Sequence, residues 1–392
     1  AIGWGTIAKS YDEGYAPILF FADPDRKLVE ELRKARGDDF LVCDPMAGGG
    51  SIPLESLRLG FKTIACEYNP VAYLVLKGTV EFPAKYGMEL ASLVRENAKK
   101  LVEHMKHELE SFYPPDVERY IIARGVRCPF CNGLIPLIHS SQVGRKKYLE
   151  LRFNSETKEF QARITSYPTK LSYIGRDFTC PYCHRSIGKL RAYRLWSSQH
   201  RKILKDILEG HVDSQEILDT HILLVRQTPK DYILCTGEDR EAFLKAAQRL
   251  AELSTLLLPY IPMHEIPKDN DVFAPLRDYG IRYWYELFNP RQLLALAVMI
   301  KYINDLSQSL LEYGELGAAV LLYLAFGVSR VIDFNSIATT WNARRESIRD
   351  TIGRYAQARK ISYGEEYCEA IVPFRNLNWV FEVEVKKPEQ TQ

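Results

Sequence analysis

Two groups of residues in this chain have the types and the spacing to do chemistry. The first is a pair of cysteine knuckles, Cys128-Pro129-Phe130-Cys131 and Cys180-Pro181-Tyr182-Cys183, separated by 48 residues. A C-x-x-C turn presents two thiolates to one ion, and two such turns complete a tetrahedral structural zinc site with no open position for catalysis. The separation exceeds the about 15 to 20 residues common between paired knuckles; an inserted β-hairpin would account for it. A redox pair and an iron–sulfur site are the alternatives, and the matching of the two knuckles favours structural zinc. His184 follows the last cysteine, yet four thiolates need no fifth ligand. Cys43, Cys66, Cys235 and Cys368 are scattered in apolar or strand-like segments and read as free thiols rather than a disulfide framework.

The second group is Asp44-Pro45-Met46-Ala47-Gly48-Gly49-Gly50, with Glu67 placed 23 residues after Asp44. Consecutive glycines let a backbone come close to a ligand, because no Cβ intervenes. A carboxylate at a strand end can orient amide donors or meet a cationic amino group. Glu67 stands where a nucleotide-type crossover places an acid to accept hydrogen bonds from ribose hydroxyls. Neither G-x-G-x-x-G nor G-x-x-x-x-G-K-[ST] occurs, which argues against NAD and ATP.

Positioning these groups takes a specific set of elements. Residues 40–43 form an apolar strand, 51–59 a helix capped by Ser51 and ended by Gly60, and 62–66 a second strand; Pro70 opens a second helix. Strand, helix, strand, helix is the βαβ pattern of a parallel sheet. The predicted class is α/β: a Rossmann-like core, incomplete in this chain, with an inserted zinc ribbon and helical segments. Downstream, the spacing predicts a long amphipathic helix over 89–112, short strands at 147–153 and 159–165, and a helix over 191–209. Strands at 222–225 and 232–235 and helices at 239–257, 290–311 and 316–326 come next, with a last strand at 379–385.

The net charge of +2 conceals an asymmetry. Between Ser141 and Lys205, fifteen Lys or Arg face four acids, a segment of +11 that leaves −9 for the rest of the chain. A basic module on a mildly acidic body points to a polyanionic partner. Aromatics such as Tyr148, Phe153, Tyr182 and Trp196 interleave the cations; they could stack on unpaired bases, although core packing is the ordinary role of any one of them. Arg145, Lys146 and Lys147 are the candidate nucleic-acid contacts in this module. A second basic run over 341–360 includes Arg345, Arg349 and Asp350 at helical spacing, as intrahelical salt links would require. Asn335, Asn342, Arg344 and Arg345 are the candidates there for contact with a target strand.

The glycine turn also resembles a known family. Asp44-Pro45-x-Ala47-Gly48-Gly49-Gly50-Ser51-Ile52-Pro53-Leu54-Glu55 and Glu67-x-Asn69-Pro70-Val71-Ala72 are similar to the first two motifs of amino-directed DNA methyltransferases. The nearest likeness is to the adenine-specific DNA methylases that contain a zinc ribbon. It continues in Tyr283-Trp284-x-x-Leu287-Phe288-Asn289-Pro290-Arg291-Gln292-Leu293-Leu294, in Ser329 to Ser336, and in Trp341-Asn342-x-Arg344-Arg345. The resemblance implies a class I methyltransferase fold with S-adenosylmethionine as cofactor. Its methionine part would lie on Asp44, Pro45, Ala47, Gly48, Gly49 and Gly50, its ribose on Glu67, and its adenine beside Tyr68 and Asn69. The implied reaction is direct in-line methylation of an extruded base in DNA, N6-adenine ahead of N4-cytosine, in a restriction-modification or other defence setting.

Methylating an exocyclic amine requires both N–H hydrogens to be accepted, so that the nitrogen lone pair can face the methyl group. In the resembled family a tetrapeptide, Asp/Asn/Ser-Pro-Pro-aromatic, does this and stacks on the flipped base. Tyr113-Pro114-Pro115-Asp116 has these letters in the wrong order, and Asn69-Pro70-Val71-Ala72 and Asn289-Pro290-Arg291-Gln292 have one proline and no aromatic. No catalytic residue is therefore assigned in this chain. The expectation is that a second methyltransferase polypeptide, or a segment outside this sequence, carries the D/N-P-P-Y motif, and that the core left here exposes strand edges and apolar faces. A degenerate relative, an RNA methyltransferase and a non-catalytic zinc-ribbon DNA-binding protein are the other readings. The expected division is 1–112 for the cofactor part, 113–210 for the basic ribbon, and 211–392 for a mixed region completing the core and facing DNA. No stretch reads as a signal peptide, and the longest uncharged apolar run, 316–328, is short for a bilayer; a cytoplasmic protein without a membrane partner is expected.

Overall fold

A computed structural model of the chain describes residues 26–37, 39–138, 140–173, 177–269, 273–349 and 366–370. The expected strand at 379–385 and the basic residues from 350 to 360 lie outside them. The described residues form a mixed α/β fold with small sheets, divided into two units. One comprises the residues up to Asn97 with Ser307–Leu324; the other comprises Ala98–Leu306 with Ala325–Phe381.

In the first unit, helix α1 (Arg26–Arg36) leads to strand β1 (Leu41–Asp44), helix α2 (Ser51–Arg58), strand β2 (Lys62–Ala65) and helix α3 (Pro70–Leu76). β1 and β2 pair in parallel, from Leu41 opposite Lys62 to Asp44 opposite Ala65. Parallel neighbours need a crossover connection, and α2 supplies it. Asn69 caps α3, its side chain accepting from the N–H groups of Val71 and Ala72, and Pro70 occupies the first turn, where no N–H is missed. The chain then passes through a π segment, Lys77–Glu81, into helix α4 (Phe82–Leu109), which is interrupted at Gly87 (φ 50°, ψ −126°). Tyr323 donates to the Gly78 carbonyl at 2.7 Å, and Lys85 and Tyr86 both reach the Glu315 carboxylate. The two-stranded sheet is lightly covered: Leu41 and Ile64 are each 49% exposed.

The second unit is built on strand β3 (Arg119–Arg127). β4 (Leu134–Leu137) pairs with its far end, and β5 (Gln142–Gly144), β6 (Lys147–Asn154) and β7 (Glu159–Thr165) form a separate antiparallel sheet. Helices α5 (Lys189–Leu208) and α6 (Ser214–Thr220) lead to β8 (His221–Gln227) and β9 (Tyr232–Leu234). Helices α7 (Gly237–Glu252), α8 (Ser254–Leu257), α9 (Ala274–Asp278), α10 (Pro290–Leu311) and α11 (Glu315–Phe334) come after them. The described chain closes with β10 (Thr340–Asn342), β11 (Ser347–Arg349) and β12 (Glu366–Ala370). The main sheet runs β12-β3-β8-β9, antiparallel throughout. Sequence reading misses β3 because Arg124 interrupts its apolar run. That arginine is fully buried, with its guanidinium 5.0 Å from the Trp196 ring centroid and an N–H on the Ile337 carbonyl.

The chain departs from its sequence pattern in two places. Residues 340–349 form a hairpin, Trp341 opposite Ile348, rather than a helix that would set Arg345 and Arg349 one turn apart; the apolar residues alternate across paired strands, and the polar residues between them make the turn. α11 is also longer than expected, and by length and composition it could cross a bilayer, although 44% of its most apolar window is buried against the chain itself. Core helices of water-soluble folds meet the same description.

A polar seam runs through the second unit. His200 and His221 are fully buried with ring nitrogens 3.1 Å apart, and the other nitrogen of His200 lies 2.9 Å from the Glu286 carbonyl. An N–H···N contact needs one unprotonated nitrogen, so the pair cannot be doubly charged as it stands. Burial pushes His200 down to about 3 and His221 well below its ordinary value, with Arg124 nearby adding to both shifts. The unfolded chain therefore binds more protons than the folded one below about pH 6.5. Stability is complete above that pH and falls as the pH drops below it, with a limiting slope of about 1.4 kcal/mol per pH unit for each histidine that stays neutral in the fold. Urea midpoints at pH 7.5 and pH 5 should show this decline; equal midpoints would refute a neutral pair.

Candidate functional site

The glycine turn sits at the carboxyl ends of β1 and β2, the edge at which open α/β sheets bind ligands. Two backbone bonds join the strand ends: Cys66 N–H to the Asp44 carbonyl (2.9 Å) and Ala47 N–H to the Cys66 carbonyl (3.0 Å). The Asp44 carboxylate accepts weakly from the Met46 N–H at 3.3 Å. Gly48 and Gly50 have φ of 56° and 87°, a region that side chains rarely enter. At Gly50 a Cβ would also lie 2.7 Å from Leu76 Cδ1 and 3.0 Å from Val80 Cγ2, so glycine alone fits. Ala47, Leu76 and Val80 form the small apolar cluster behind the turn. The Thr79 hydroxyl reaches the Gly49 carbonyl at 3.3 Å. Sequence reading misses Leu76, Thr79 and Val80, because nothing in a helix after β2 signals contact with the turn after β1.

Glu67 ties the site together. Its Oε2 accepts from the Gly48 N–H at 2.6 Å and its Oε1 from the Asn69 N–H at 2.8 Å. These backbone donors, Asn69 first and Gly48 second, hold its carboxyl below the ordinary range. Asp44, Ala47, Gly48, Gly49, Gly50, Glu67 and Asn69 are thus brought to one place. Pro45 is exposed on the turn, and the Tyr68 side chain is fully exposed.

The four knuckle cysteines also converge. Their sulfur atoms all lie within 4.8 Å of one another, Cys128 to Cys183 at 3.8 Å and Cys131 to Cys180 at 3.6 Å. Sulfurs about 2.3 Å from a shared tetrahedral ion stand about 3.8 Å apart, so the set can hold a metal ion. The knuckles repeat one geometry: Asn132 N–H bonds the Cys128 carbonyl and His184 N–H the Cys180 carbonyl, both at 2.9 Å, with Asn132 at φ 60° and His184 at φ 58°. His184 is thus the left-handed turn residue of its knuckle. Gly133 lies under the Tyr182 ring, where a Cβ would come within 2.3 Å. The long spacer is the expected hairpin, β6 and β7, and Phe153 packs edge-on against Tyr173 and Tyr182 at 5.1 and 5.4 Å. Several of the interleaved aromatics are therefore core. Without an ion, burial pushes the Cys180 thiol up to about 12, while the Arg185 N–H draws Cys183 down to about 7; a bound dication would favour the thiolate at all four.

The nucleic-acid candidates separate. Arg145, Lys146 and Lys147 lie at the turn between β5 and β6, Arg344 and Arg345 at the turn between β10 and β11. Glu346 joins these turns: it accepts from the Arg145 N–H at 2.9 Å and lies 3.8 Å from that guanidinium. Beneath them the Trp341 indole donates to the Val143 carbonyl at 2.6 Å. Lys147 is paired with Asp231 at 3.0 Å, and the Asn342 side chain accepts from the Arg345 N–H at 3.3 Å. Asn335 departs from expectation. It is 7% exposed and its amide donates to the Val331 carbonyl at 3.2 Å, so it belongs to the interior at the end of α11 and not to the basic surface. The Tyr283–Leu294 motif is interior as well. Asn289 and Gln292 exchange backbone-to-side-chain bonds (2.9 and 3.0 Å) as a capping box for α10, and the Arg291 guanidinium is enclosed by Tyr113, Tyr120 and Phe243.

Comparison with protein-family models, curated proteins and solved structures finds no match to this chain. The resemblance to a family rests on the sequence motifs.

Purified chain should carry one metal ion per molecule by elemental analysis. Chelation, or the pair Cys128→Ser and Cys180→Ser, should release it and lower the melting temperature by several degrees; unchanged melting after verified metal loss would refute a structural ion.

Proposed function

We propose that this chain is the S-adenosylmethionine-binding part of an amino-directed DNA methyltransferase, with a Rossmann-like core begun by β1, α2 and β2 and a structural zinc ion on Cys128, Cys131, Cys180 and Cys183. The observation that carries the reading is the 2.6 Å bond from the Gly48 N–H to Glu67. It sets an ionised acid at the end of β2 against a glycine turn at the end of β1, the pairing a nucleoside ligand requires.

The residues present suit the donor. The Glu67 oxygens, each engaged by one N–H, keep lone pairs for two ribose hydroxyls. The Asp44 carboxylate can meet an ammonium group, and the open side of Gly48 and Gly49, where no atom lies within 4 Å of a built Cβ, leaves room for a ligand. When bound, S-adenosylmethionine supplies an electrophilic methyl group on sulfur. The target amine needs two hydrogen-bond acceptors and a stacking aromatic, which a second polypeptide or a segment outside this sequence would bring. The open apolar face around Leu41 and Ile64 supports that arrangement. The joined turns bearing Lys146, Arg344 and Arg345 would hold the phosphates of the DNA.

Calorimetry should detect S-adenosylmethionine binding. Glu67→Ala should weaken it by about tenfold or more, because the charged hydrogen bonds to the ligand are lost. Gly50→Ala should abolish it, whereas Gly49→Ala should cost little. Absence of binding by the wild-type chain would sink the proposal. With a polypeptide carrying the tetrapeptide, methyl incorporation should favour duplex DNA; incorporation into RNA alone would establish the RNA reading instead.

A further inference from the structure

The fifteen cations of the basic segment are not equally available. Arg152 and Arg163 share Glu150, Lys202 pairs with Glu216, Lys205 with Glu209 and Arg201 with Glu286. With Arg145 and Lys147 engaged as described, much of the +11 is answered locally. One cluster is not. The guanidiniums of Arg185, which follows His184 of the second knuckle, and of Arg191, in the first turns of α5, form no ion pair or hydrogen bond among the described residues. Both guanidiniums instead face the ring of Phe130, in the first knuckle, at 5.2 and 5.7 Å from its centroid. Phe130 is itself 42% exposed. Arg191 also lines a shallow depression with Leu190, Arg194 and Leu195. Arg194 donates through Nε to the Asp278 carbonyl, which leaves its outer nitrogens available. Asp177 stands at this end of α5, where it accepts from the Lys189 N–H at 3.5 Å.

An exposed phenyl ring that gathers two unpaired guanidiniums has little value as packing. Like charges brought to one ring repel, and exposed cation–π contacts are weak. What the arrangement does is hold two planar donor forks in place before a ligand arrives, which reduces the ordering cost of binding. Planar forks with several N–H groups match phosphate oxygens bidentately, in a way that lysine cannot.

We propose that Phe130, Arg185 and Arg191, extended by Arg194, form a clamp for the phosphodiester backbone of a nucleic acid, positioned by the knuckles and α5 and separate from the joined turns at Lys146 and Arg344. The proposal rests on the nucleic-acid part of the functional reading and is independent of methyl transfer.

The test is fluorescence anisotropy of labelled single-stranded and duplex oligonucleotides against the full, metal-loaded chain across a salt series. The Arg185→Ala/Arg191→Ala variant should bind about tenfold more weakly and lower the slope of log affinity against log salt by about 1.4 for single strands or about 1.8 for duplex. Arg185→Lys/Arg191→Lys should keep the wild-type slope yet lose affinity, because charge remains while the fork is gone. Phe130→Ala should weaken binding with the slope unchanged. Retained metal content and melting temperature show that each variant is folded. Wild-type binding that survives in the double alanine variant overturns this proposal alone. Displacement of the oligonucleotide as readily by inorganic phosphate or by polyglutamate overturns it in favour of a small anion or an acidic protein. Failure of the wild-type chain to bind any nucleic acid removes both this proposal and the DNA partner, while donor binding by calorimetry remains a separate result.

Discussion

A guanidinium can be buried in a sheet only where its charge and its N–H groups are answered nearby, since an unanswered buried charge costs several kcal/mol. Arg124, in the middle of β3, imposes that requirement on the second unit. The Trp196 ring on α5 covers its face, and the Ile337 carbonyl beyond α11 takes an N–H. Trp196 in turn donates to the Thr220 carbonyl at 2.8 Å and stacks on His200, which is joined to His221 at the start of β8. A helix, two strands and a distant segment are thereby held to one another by directional contacts. Apolar side chains alone would pack these elements but would fix their relative positions less sharply.

How much is legible in the sequence depends on the range of the interactions. The glycine turn, the knuckles, the β6–β7 hairpin and the proline start of α10 are each specified within a few residues by backbone chemistry, and each stands where its residues predict it. β3 is hidden because the partners of its arginine, the Trp196 ring and the Ile337 carbonyl, lie far along the chain. The 340–349 hairpin reads as a helix because charge spacing in a short polar stretch imitates one, while the pairing of Trp341 with Ile348 becomes visible only once the strands meet. Asn335 has the type of a surface residue, yet its amide is used by the preceding helical turn. The same holds for Glu286, which looks like an exposed acid in sequence and is fully buried with Arg201 at 2.5 Å.

Placement also changes what the charge asymmetry means. A count of +11 over 65 residues suggests a continuous basic face. In the structure, acids contributed by other segments, Asp231, Glu216, Glu286 and Glu346 among them, meet many of those cations. The segment's charge is therefore distributed between internal pairing and a few open positions, and surface pairs of this kind add little stability. Arg145 and Glu346, far apart in sequence, become neighbours for the same reason.

The glycine turn has one further property. Behind it stand Leu76 and Val80, with Thr79 on the Gly49 carbonyl and Tyr323 fastened to the Gly78 carbonyl of the same π segment. On its outer side Glu67 restrains Gly48. A loop restrained on both sides cannot yield to a molecule that fits it poorly. Under the proposed function, selectivity at this edge would be a matter of rigid shape: the donor would have to match the turn as it already stands.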